Sequence, residues 1–371
     1  MQGAFTRETD QRFMAAAIRL SRRHLGLTGT NPSVATLIVR DDGAGPCIVG
    51  RGVTAVGGRP HAEPQAIAEA GDKAHGATAY VTLEPCAHHG RTPPCAEALV
   101  ASGVKRVVGA ASDPDPRVSG KGYAILRAAG IEVVESVLAD EAADLMRGYL
   151  TRSVNKRPEV VLKLALSADR KIGVAGEGQV AITGEGARAQ VHLMRAEADA
   201  ILVGIGTALA DDPVLTCRLP GLEGRSPARV VLDRHLRLPL QSALVAGARR
   251  VPLFLTAASD ILAERRAAYA DQGVEFLAVE ALDGNIALPE LLEDLAARGY
   301  SSLMVEGGGH TAAAFLAEGL VDRLCLFVGP RTIGAHGIAS PVDPDHIPAG
   351  FAKRREARFG EDLYFEYVRA D

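Results

Sequence analysis

Short apolar runs and segments with helical spacing alternate along this chain. Helical spacing of apolar residues occurs in five segments of the first half, at residues 12–25, 62–70, 96–102, 120–129 and 141–150. Short apolar runs typical of strands occupy residues 34–39, 48–56, 80–83, 106–110 and 132–137. This alternation predicts a sheet with helices on its faces.

The alternation is interrupted once, by the polar segment TRSVNKRPE at residues 151–159. We therefore predict two domains, residues 1–153 and residues 154–371. Beyond the interruption, apolar runs predict strands at residues 160–166, 200–203, 229–232, 251–256, 303–306, 323–328 and 363–368. Helices are predicted between them at residues 185–195, 288–298 and 311–318.

The composition restricts the functional classes. A length of 371 residues fits two or three domains at roughly 150 residues each, and 47% hydrophobic with 23% charged residues is typical of a globular protein. A formal net charge of −4, only 4% aromatic residues and the lack of a basic run argue against nucleic acid as a partner. No apolar run reaches the ~18 residues of a membrane span.

The cysteine content indicates the compartment. Five cysteines are an odd and sparse set, which argues against a disulfide framework. Free thiolates at a metal site need a reducing compartment, so we expect a cytoplasmic protein. We also expect a homo-oligomer that acts on a small molecule.

Residues 60–95 contain a cluster of groups suited to a metal ion. His61, Cys86 and Cys95 supply one imidazole and two thiolates, a set that suits zinc and leaves one coordination position for water. Glu63 can carry a proton from water to a leaving amine, as hydrolytic deamination requires. A closed structural site would instead need a fourth protein ligand, for which the candidates are His88, His89 and Cys47. Glu63 would have no purpose in such a site.

The spacing of the two cysteines is informative. The cluster is similar to the H-x-E…P-C-x-x-C pattern of zinc nucleobase deaminases, but eight residues separate the cysteines here instead of two. The insert contains donors such as His88 and Arg91 that could hold an anionic group of a substrate. Asn31, in the turn before the predicted strand at 34–39, either reads a ring edge with its amide or only shapes the turn.

Two segments of the second half follow buried strands. Residues 307–309 are three glycines before a predicted helix, where backbone N–H groups favour an anion, although a plain tight turn explains the same glycines. The other segment begins after Gly204 and is predicted to be a polar loop carrying Thr207, Asp211 and Arg218. By itself its Asp-Asp-Pro sequence indicates only a capped turn.

Taken in order, these motifs resemble those of a known enzyme family. LEPCAHHGRTPPC in the first half, and KLALSADRKIG, AITGEGAR, DAILVGIGTALADDPVLTCR, RVVLD and MVEGGGHTAAAFL in the second, resemble motifs of the bacterial bifunctional riboflavin-pathway enzymes. The resemblance covers nearly the whole chain. It implies an α/β protein with a cytidine-deaminase-like α/β/α domain followed by a dihydrofolate-reductase-like α/β domain.

The resemblance implies two consecutive reactions. The first half would use Zn2+ to hydrolyse the 2-amino group of 2,5-diamino-6-(5-phosphoribosylamino)pyrimidin-4(3H)-one. The second half would use NADPH to reduce the ribosyl side chain, giving 5-amino-6-(5-phosphoribitylamino)uracil. A phosphorylated substrate fits the donor-rich insert, and a dinucleotide fits the glycine run.

The resemblance also implies roles for single residues. In the first half, the matching zinc ligands and proton carrier are His61, Cys86, Cys95 and Glu63. On the substrate side of the second half, the matching positions are Gln179, Arg195, Leu215, Arg218 and Glu306. On the cofactor side they are Ala165, Ala181, Thr207, Asp211, Gly308, Gly309, His310 and Thr311. Arg195 and Arg218 are candidate phosphate partners, since guanidinium forks bind phosphate bidentately.

Two roles in the second half stay open. The carbonyl oxygen of the opened ribose needs a proton, which either Lys163 or a water held by Glu306 could supply. Arg234, just after the predicted strand at 229–232, is a candidate for the 2′-phosphate of NADPH by analogy with arginines near such phosphates. The competing interpretation of Arg234 is an exposed loop arginine.

The chain departs from the family pattern at three places. Ser167-Ala168-Asp169-Arg170 stands where the family has Ser-Leu-Asp-Gly, Gln179 where it has Ser, and Ala181 where it has Trp. Loss of the indole removes a packing surface that could contact nicotinamide or ribose. A deaminase of tRNA adenosine would share the zinc cluster, but it would show a basic surface and the C-x-x-C spacing.

Overall fold

A computed structural model describes residues 5–90, 93–115, 118–258, 261–277, 279, 281–282 and 285–370. The chain forms two compact units, Met1–Lys156 and Arg157–Asp371. Residue 153, where the predicted first domain ended, lies in the last helix of the first unit. None of the helices in the described part of the chain has the length and apolar content that crossing a membrane requires.

The first unit contains six helices and five strands among its described residues. The helices are α1 (Arg7–Ser21), α2 (Ala62–Ala70), α3 (Cys95–Ala101), α4 (Lys121–Ala128), α5 (Ala139–Leu145) and α6 (Arg147–Asn155). The strands are β1 (Ala35–Arg40), β2 (Cys47–Val53), β3 (Thr78–Leu83), β4 (Arg106–Ala111) and β5 (Glu132–Val134).

The five strands form one sheet in the order β2-β1-β3-β4-β5. β1 is antiparallel to β2 and β3, whereas β3, β4 and β5 run parallel. β3 is buried along its whole length, as expected for a central strand covered on both faces. α2, α3 and α4 pack together and α1 packs against α5, so the core lies between the sheet and these helices.

Two glycines on β2 determine the position of α2. A Cβ atom on Gly50 would lie 2.2 Å from the carbonyl oxygen of Ala66, and one on Gly52 would lie 2.0 Å from that of Ala62. Both distances are shorter than van der Waals contact, so only glycine lets α2 approach β2 this closely. His61 immediately precedes α2, and the close packing therefore fixes where the first predicted metal ligand lies.

The second unit is larger and richer in strands. Its strands are β6 (Glu159–Leu166), β7 (Lys171–Val174), β8 (Ala200–Gly204), β9 (Ala228–Leu232), β10 (Leu253–Thr256), β11 (Val274–Leu277), β12 (Ala281–Leu282), β13 (Asn285–Ile286), β14 (Ser302–Val305), β15 (Arg323–Val328), β16 (Gly337–Ala339), β17 (Phe351–Phe359) and β18 (Asp362–Arg369). Its helices are α7 (Glu185–Glu197), α8 (Ile205–Asp211), α9 (Ala243–Ala246), α10 (Ala263–Ala270), α11 (Leu288–Ala297) and α12 (Gly309–Ala317).

Nine strands of this unit form one sheet in the order β11-β10-β9-β8-β14-β6-β15-β18-β17. The first seven run parallel, and β18 and β17 complete the sheet in antiparallel pairing. β7 and β16 form a separate antiparallel pair. The carboxyl ends of parallel strands meet at one edge of a sheet, which is the usual place for a ligand. Gly204 is the last residue of β8, Glu306 directly follows β14, and Lys163 lies in the second half of β6.

Several elements differ from the sequence predictions. α1 begins five residues earlier than residue 12, because the Thr6 hydroxyl caps the helix by accepting the N–H of Thr9 at 3.2 Å. The single helix predicted at 141–150 is two helices, which meet at Met146.

Further differences lie in the second unit, where the elements not predicted are β7, β11, β12, β13, β16, β17, α9 and α10. The polar loop predicted after Gly204 is wrong at its start, since residues 205–211 form α8. β17 was not predicted because most of its side chains are exposed and charged, which leaves no apolar alternation for the sequence to show. Charged side chains are common on such edge strands, where they discourage pairing with other chains.

A buried ion pair in the first unit gives a stability prediction. Asp10 on α1 accepts two hydrogen bonds of 2.8 Å from Arg106 and one of 2.8 Å from the hydroxyl of Tyr80. Asp10→Asn should lower the free energy of unfolding by about 3 kcal/mol, because it leaves the Arg106 charge buried without its main anion. Glu132, which is 61% exposed and contacts the same guanidinium, is the matched control. Glu132→Gln should cost less than about 1 kcal/mol in urea denaturation, and equal losses would contradict this account.

Candidate active sites

Three side chains in the first unit converge on one point. His61 is the N-terminal cap of α2, Cys86 lies three residues after β3, and Cys95 is the first residue of α3. His61 Nδ1 lies 3.8 Å from Cys86 Sγ and 3.3 Å from Cys95 Sγ. Nitrogen and sulfur ligands at about 2.1 and 2.3 Å from a tetrahedral zinc ion lie roughly 3.6 Å apart. The geometry of this donor set therefore fits zinc.

The two thiols of the cluster have opposite proton affinities. The hydrogen bond with Cys95 is the main cause that lowers the pKa of Cys86, to about 4. The same bond, followed by burial, raises the pKa of Cys95. The backbone N–H of Cys95 also donates to Cys86 Sγ at 3.2 Å. One thiolate is thus present before metal binding, and a bound zinc ion would ionise the second.

Glu63 lies in the first turn of α2, beside this cluster. Its side chain is buried, and burial is the main cause that raises the pKa of its carboxyl, with the negative charge of Cys86 adding to the effect. A carboxyl group with a raised pKa exchanges protons more readily near neutral pH. The position and the protonation of Glu63 therefore both suit a proton carrier.

The candidates for a fourth protein ligand lie elsewhere. Among the described residues, the cluster of possible metal ligands consists of His61, Cys86 and Cys95. His89 is 3.0 Å from the carboxylate of Glu97, and Cys47 is exposed at the start of β2. The described geometry therefore favours an open site over a closed structural one.

The predicted substrate residues of the first half differ in their hydrogen-bond partners. Nδ1 of His88 is buried and has no hydrogen-bond partner among the described residues. Asn31 uses its amide nitrogen to donate to the carbonyl oxygen of Gly58 at 3.1 Å, which holds the turn together. Arg91 lies outside the described residues.

Two buried carboxylates near the cluster were not predicted. Glu84, directly before the Pro-Cys pair, accepts the N–H groups of Gly120 and Gly122 at 3.1 Å each. Asp113 accepts the hydroxyl of Tyr149 at 3.2 Å, and the charge of Cys86 contributes to the raised pKa of Asp113, after burial and a nearby carboxylate. The order of the residues in the sequence gives no sign of these contacts, because they join positions about 36 residues apart.

The second unit contains a cavity of about 1170 Å³ at the carboxyl ends of its parallel strands. The predicted site residues that line it are Lys163, Ala165, Gln179, Thr207, Asp211, Arg234, Glu306, Gly308, Gly309, His310 and Thr311. Of the predicted residues that the structure describes, those outside this lining are Ala181, Arg195, Leu215 and Arg218. The volume is sufficient for a dinucleotide and a small substrate together.

A buried carboxylate with two cations lies at the wall of the cavity. Glu306 accepts from Arg195 Nε at 2.7 Å and Nη2 at 3.1 Å, and Lys163 Nζ lies 3.5 Å from it. Burial alone would raise the pKa of Glu306, but the charges of Lys163 and Arg195 outweigh burial and lower it to about 2. Glu306 is therefore ionised at neutral pH. Arg195, predicted as a phosphate partner, has its guanidinium engaged by this carboxylate.

The glycine run packs closely around Thr311. A Cβ atom on Gly307 would lie 2.6 Å from the Cβ of Thr311, and one on Gly204 would lie 2.4 Å from its hydroxyl oxygen. Gly308 is the N-terminal cap of α12 and donates its N–H to Thr207 Oγ1 at 3.0 Å. Packing therefore explains Gly307, while the start of α12 lines the cavity and offers N–H groups to an anion.

The remaining predicted residues of this half differ in their exposure and in their contacts. Leu215 is 4% exposed and packs in an apolar cluster, and Arg218 is exposed. Arg234 lies two residues after β9 and lines the cavity. Burial raises the pKa of Asp211, the last residue of α8. Ala181 is exposed, and its carbonyl oxygen accepts from Arg331 at 3.3 Å.

The turn that departs from the family pattern is held by its own polar contacts. Arg170, which replaces glycine, adopts a φ of 63° and contacts Asp345 at 2.7 Å. Asp169 accepts the N–H groups of Ile333 and Gly334 at 3.0 and 2.7 Å. These bonds lower the pKa of Asp169 and connect the turn to the segment before β16.

Comparisons with known families support both halves. A family model described as "RibD C-terminal domain" matches residues 158–364. A second, described as "Cytidine and deoxycytidylate deaminase zinc-binding region", matches residues 7–111.

Curated relatives and solved structures match nearly the full chain. Riboflavin biosynthesis protein RibD of Aquifex aeolicus is 38% identical over 369 residues, which cover 98% of this chain and 99% of that protein. The RibD protein of Escherichia coli is 38% identical over 88% of this chain and 89% of its own length. The structure of Acinetobacter baumannii RibD, form 1, has a TM-score of 0.85 at 36% identity and covers 99% of this chain and 100% of that one.

A further structure carries both activities in its description. The diaminohydroxyphosphoribosylaminopyrimidine deaminase/5-amino-6-(5-phosphoribosylamino)uracil reductase of Thermotoga maritima has a TM-score of 0.84 at 33% identity, covering 98% of this chain and 99% of that one. These comparisons confirm the predicted family, the α/β fold and the two enzymatic activities. They also confirm the two predicted cofactors, zinc and NADPH. The chain belongs to the RibD family of bifunctional deaminase/reductases of riboflavin biosynthesis.

Proposed function

We propose that this chain deaminates 2,5-diamino-6-(5-phosphoribosylamino)pyrimidin-4(3H)-one in its first unit and reduces the product in its second. The final product would be 5-amino-6-(5-phosphoribitylamino)uracil. The observation that carries the proposal is a three-ligand metal cluster beside the buried Glu63 in one unit, with a strand-end cavity walled by Lys163 and Glu306 in the other. The description of the Thermotoga maritima relative supports the choice of substrate.

In the deamination step, His61, Cys86 and Cys95 would hold the metal. Zinc, when bound, supplies Lewis acidity and makes water a stronger nucleophile at neutral pH. Glu63 would take a proton from the attacking water and deliver it to the departing amine, so that ammonia leaves. Its raised pKa suits both halves of that transfer. Nδ1 of His88 would donate to, or accept from, a polar group of the substrate.

In the reduction step, the two groups at the cavity wall would have separate roles. NADPH, when bound, supplies the hydride. Glu306 stays ionised and can only accept hydrogen bonds, so it would orient substrate hydroxyls rather than give up a proton. Lys163, which lines the cavity 3.5 Å from Glu306, would donate the proton to the carbonyl oxygen of the opened ribose. Arg218 would bind the substrate phosphate, because Arg195 is engaged by Glu306.

The cellular compartment and the oligomeric state are also part of the proposal. We place the enzyme in the cytoplasm, because two free thiolates at a zinc site require a reducing compartment. A homo-oligomer stays a prediction, which sedimentation velocity of the purified chain would test.

The proposed proton transfer by Glu63 can be tested separately from metal binding. Glu63→Ala should retain stoichiometric zinc, because all three ligands are unchanged, and should lose at least about a hundredfold in ammonia release. Cys86→Ser is the matched control and should lose zinc as well as activity. Ammonia and metal content are measured on the same preparations. Oxidation of NADPH with the deaminated intermediate should be unaffected in Glu63→Ala, and normal ammonia release by this variant would refute the mechanism.

Cofactor selection gives a second prediction. Arg234→Ala should raise the KM for NADPH roughly tenfold or more, as loss of a charge-assisted hydrogen bond does, and should leave the KM for NADH unchanged. Arg237→Ala is the matched control, because Arg237 lines the same cavity but is 55% exposed and lies 3.8 Å from Asp233. A similar effect of both variants would indicate general electrostatics and remove the specific role of Arg234.

The depressed pKa of Glu306 gives a prediction about pH. Because its pKa is about 2 in the fold and 4.5 as the ordinary value, its ion pairs stabilise the protein fully above about pH 5, and this stabilisation is lost as the pH falls through 2. The free energy of unfolding of wild type should exceed that of Glu306→Gln by about 3 kcal/mol at pH 6. This difference should shrink on acidification. Glu356→Gln, at an exposed pair on β17, should show no such change, and a pH-independent difference for Glu306→Gln would contradict the argument.

A further inference from the structure

The segment 213–218, which carries Leu215 and Arg218, belongs to no helix or strand. Its shape therefore depends on hydrogen bonds from neighbouring elements. α7 supplies two of them: Arg195 Nη1 donates to the carbonyl oxygen of Thr216 at 3.2 Å, and Nδ1 of His192 accepts the backbone N–H of Arg218 at 3.3 Å. His192 and Arg195 are three residues apart and share one side of the helix. His192 thus contacts the backbone of Arg218, the residue that we propose binds the phosphate of the substrate.

We propose that His192 is a positioning residue for the reduction step, which orients Arg218 toward the phosphate of the substrate. The proposal rests on the proposed function of the second unit. Arg218 is exposed at the end of an irregular segment, and an unrestrained arginine there would lose much of its binding energy to ordering. The contact from His192 fixes the backbone from which its side chain extends.

The chemistry of the contact requires a neutral imidazole. A backbone N–H can donate to Nδ1 only when that nitrogen carries no proton. Burial is the first cause that lowers the pKa of His192, followed by the positive charges of Arg195 and Arg218, while Glu306 opposes them. The surroundings therefore favour the protonation state that the hydrogen bond needs.

Three substitutions of one residue test the proposal. His192→Ala should raise the KM for 5-amino-6-(5-phosphoribosylamino)uracil roughly three- to tenfold, as loss of one hydrogen bond does, with kcat and the KM for NADPH unchanged. In His192→Asn, Oδ1 stands close to the position of Nδ1 and should restore the wild-type KM. In His192→Gln, the amide stands near Nε2 instead, so this variant should behave like His192→Ala. Equal KM values for the asparagine and alanine variants would overturn the proposal.

A second comparison isolates the phosphate. The substrate without its phosphate should bind wild type and His192→Ala equally, and His192→Ala should add no further loss in an Arg218→Ala background. Equal losses for both substrates, or full additivity of the two substitutions, would show that His192 does not act through Arg218. Binding of both substrates measured by calorimetry gives the same comparison without turnover. If wild type bound the phosphorylated substrate but did not oxidise NADPH, the proposed function would fail while the role of His192 was still decided.

Discussion

The charged site of the second unit depends on the ion pairs that the buried carboxylate of Glu306 forms with Lys163 and Arg195. A buried carboxylate without partners costs several kcal/mol, so its neighbours must supply positive charge. Lys163 on β6 and Arg195 on α7 do so, which ties the centre of the sheet to a helix on its face. The two cations are placed differently with respect to the cavity. Lys163 lines the cavity wall, and the guanidinium of Arg195 donates to Glu306.

The first unit keeps ionisable groups together by a different means. Two of its three ligands, His61 and Cys95, lie at helix starts, where backbone N–H groups without intrahelical partners stabilise negative charge. Cys95 begins α3 and gives its own N–H to Cys86. The position of His61 depends in turn on the close packing of α2 against Gly50 and Gly52. The metal cluster is therefore a product of tight helix packing as much as of the ligand residues themselves.

Much of this arrangement could be predicted from the sequence, because its signals are local. His61, Glu63 and the cysteines share one stretch of chain, and parallel strands show as plain apolar runs such as β6 and β15. What the sequence did not show are contacts between distant positions. The pairing of Arg195 with Glu306 joins residues 111 positions apart, and the start of α1 depends on a threonine cap outside the apolar pattern. β17 was missed because an exposed edge strand has no buried face to leave a pattern.

The departures from the family pattern alter side chains but leave the local backbone supported. Arg170 takes a left-handed conformation that costs a non-glycine residue on the order of 1 kcal/mol. Its carbonyl oxygen accepts the N–H of Ser340 at 3.1 Å and its guanidinium contacts Asp345, which offset that cost. Ala181 lacks the indole that the family pattern has at this position. Arg331 nevertheless donates to the backbone carbonyl oxygen of Ala181, and this contact supports the backbone close to Gln179. Of the substituted positions only Gln179 lines the cavity, and Lys163 and Glu306 belong to other segments, so the substitutions leave the charged part of the cavity wall unchanged.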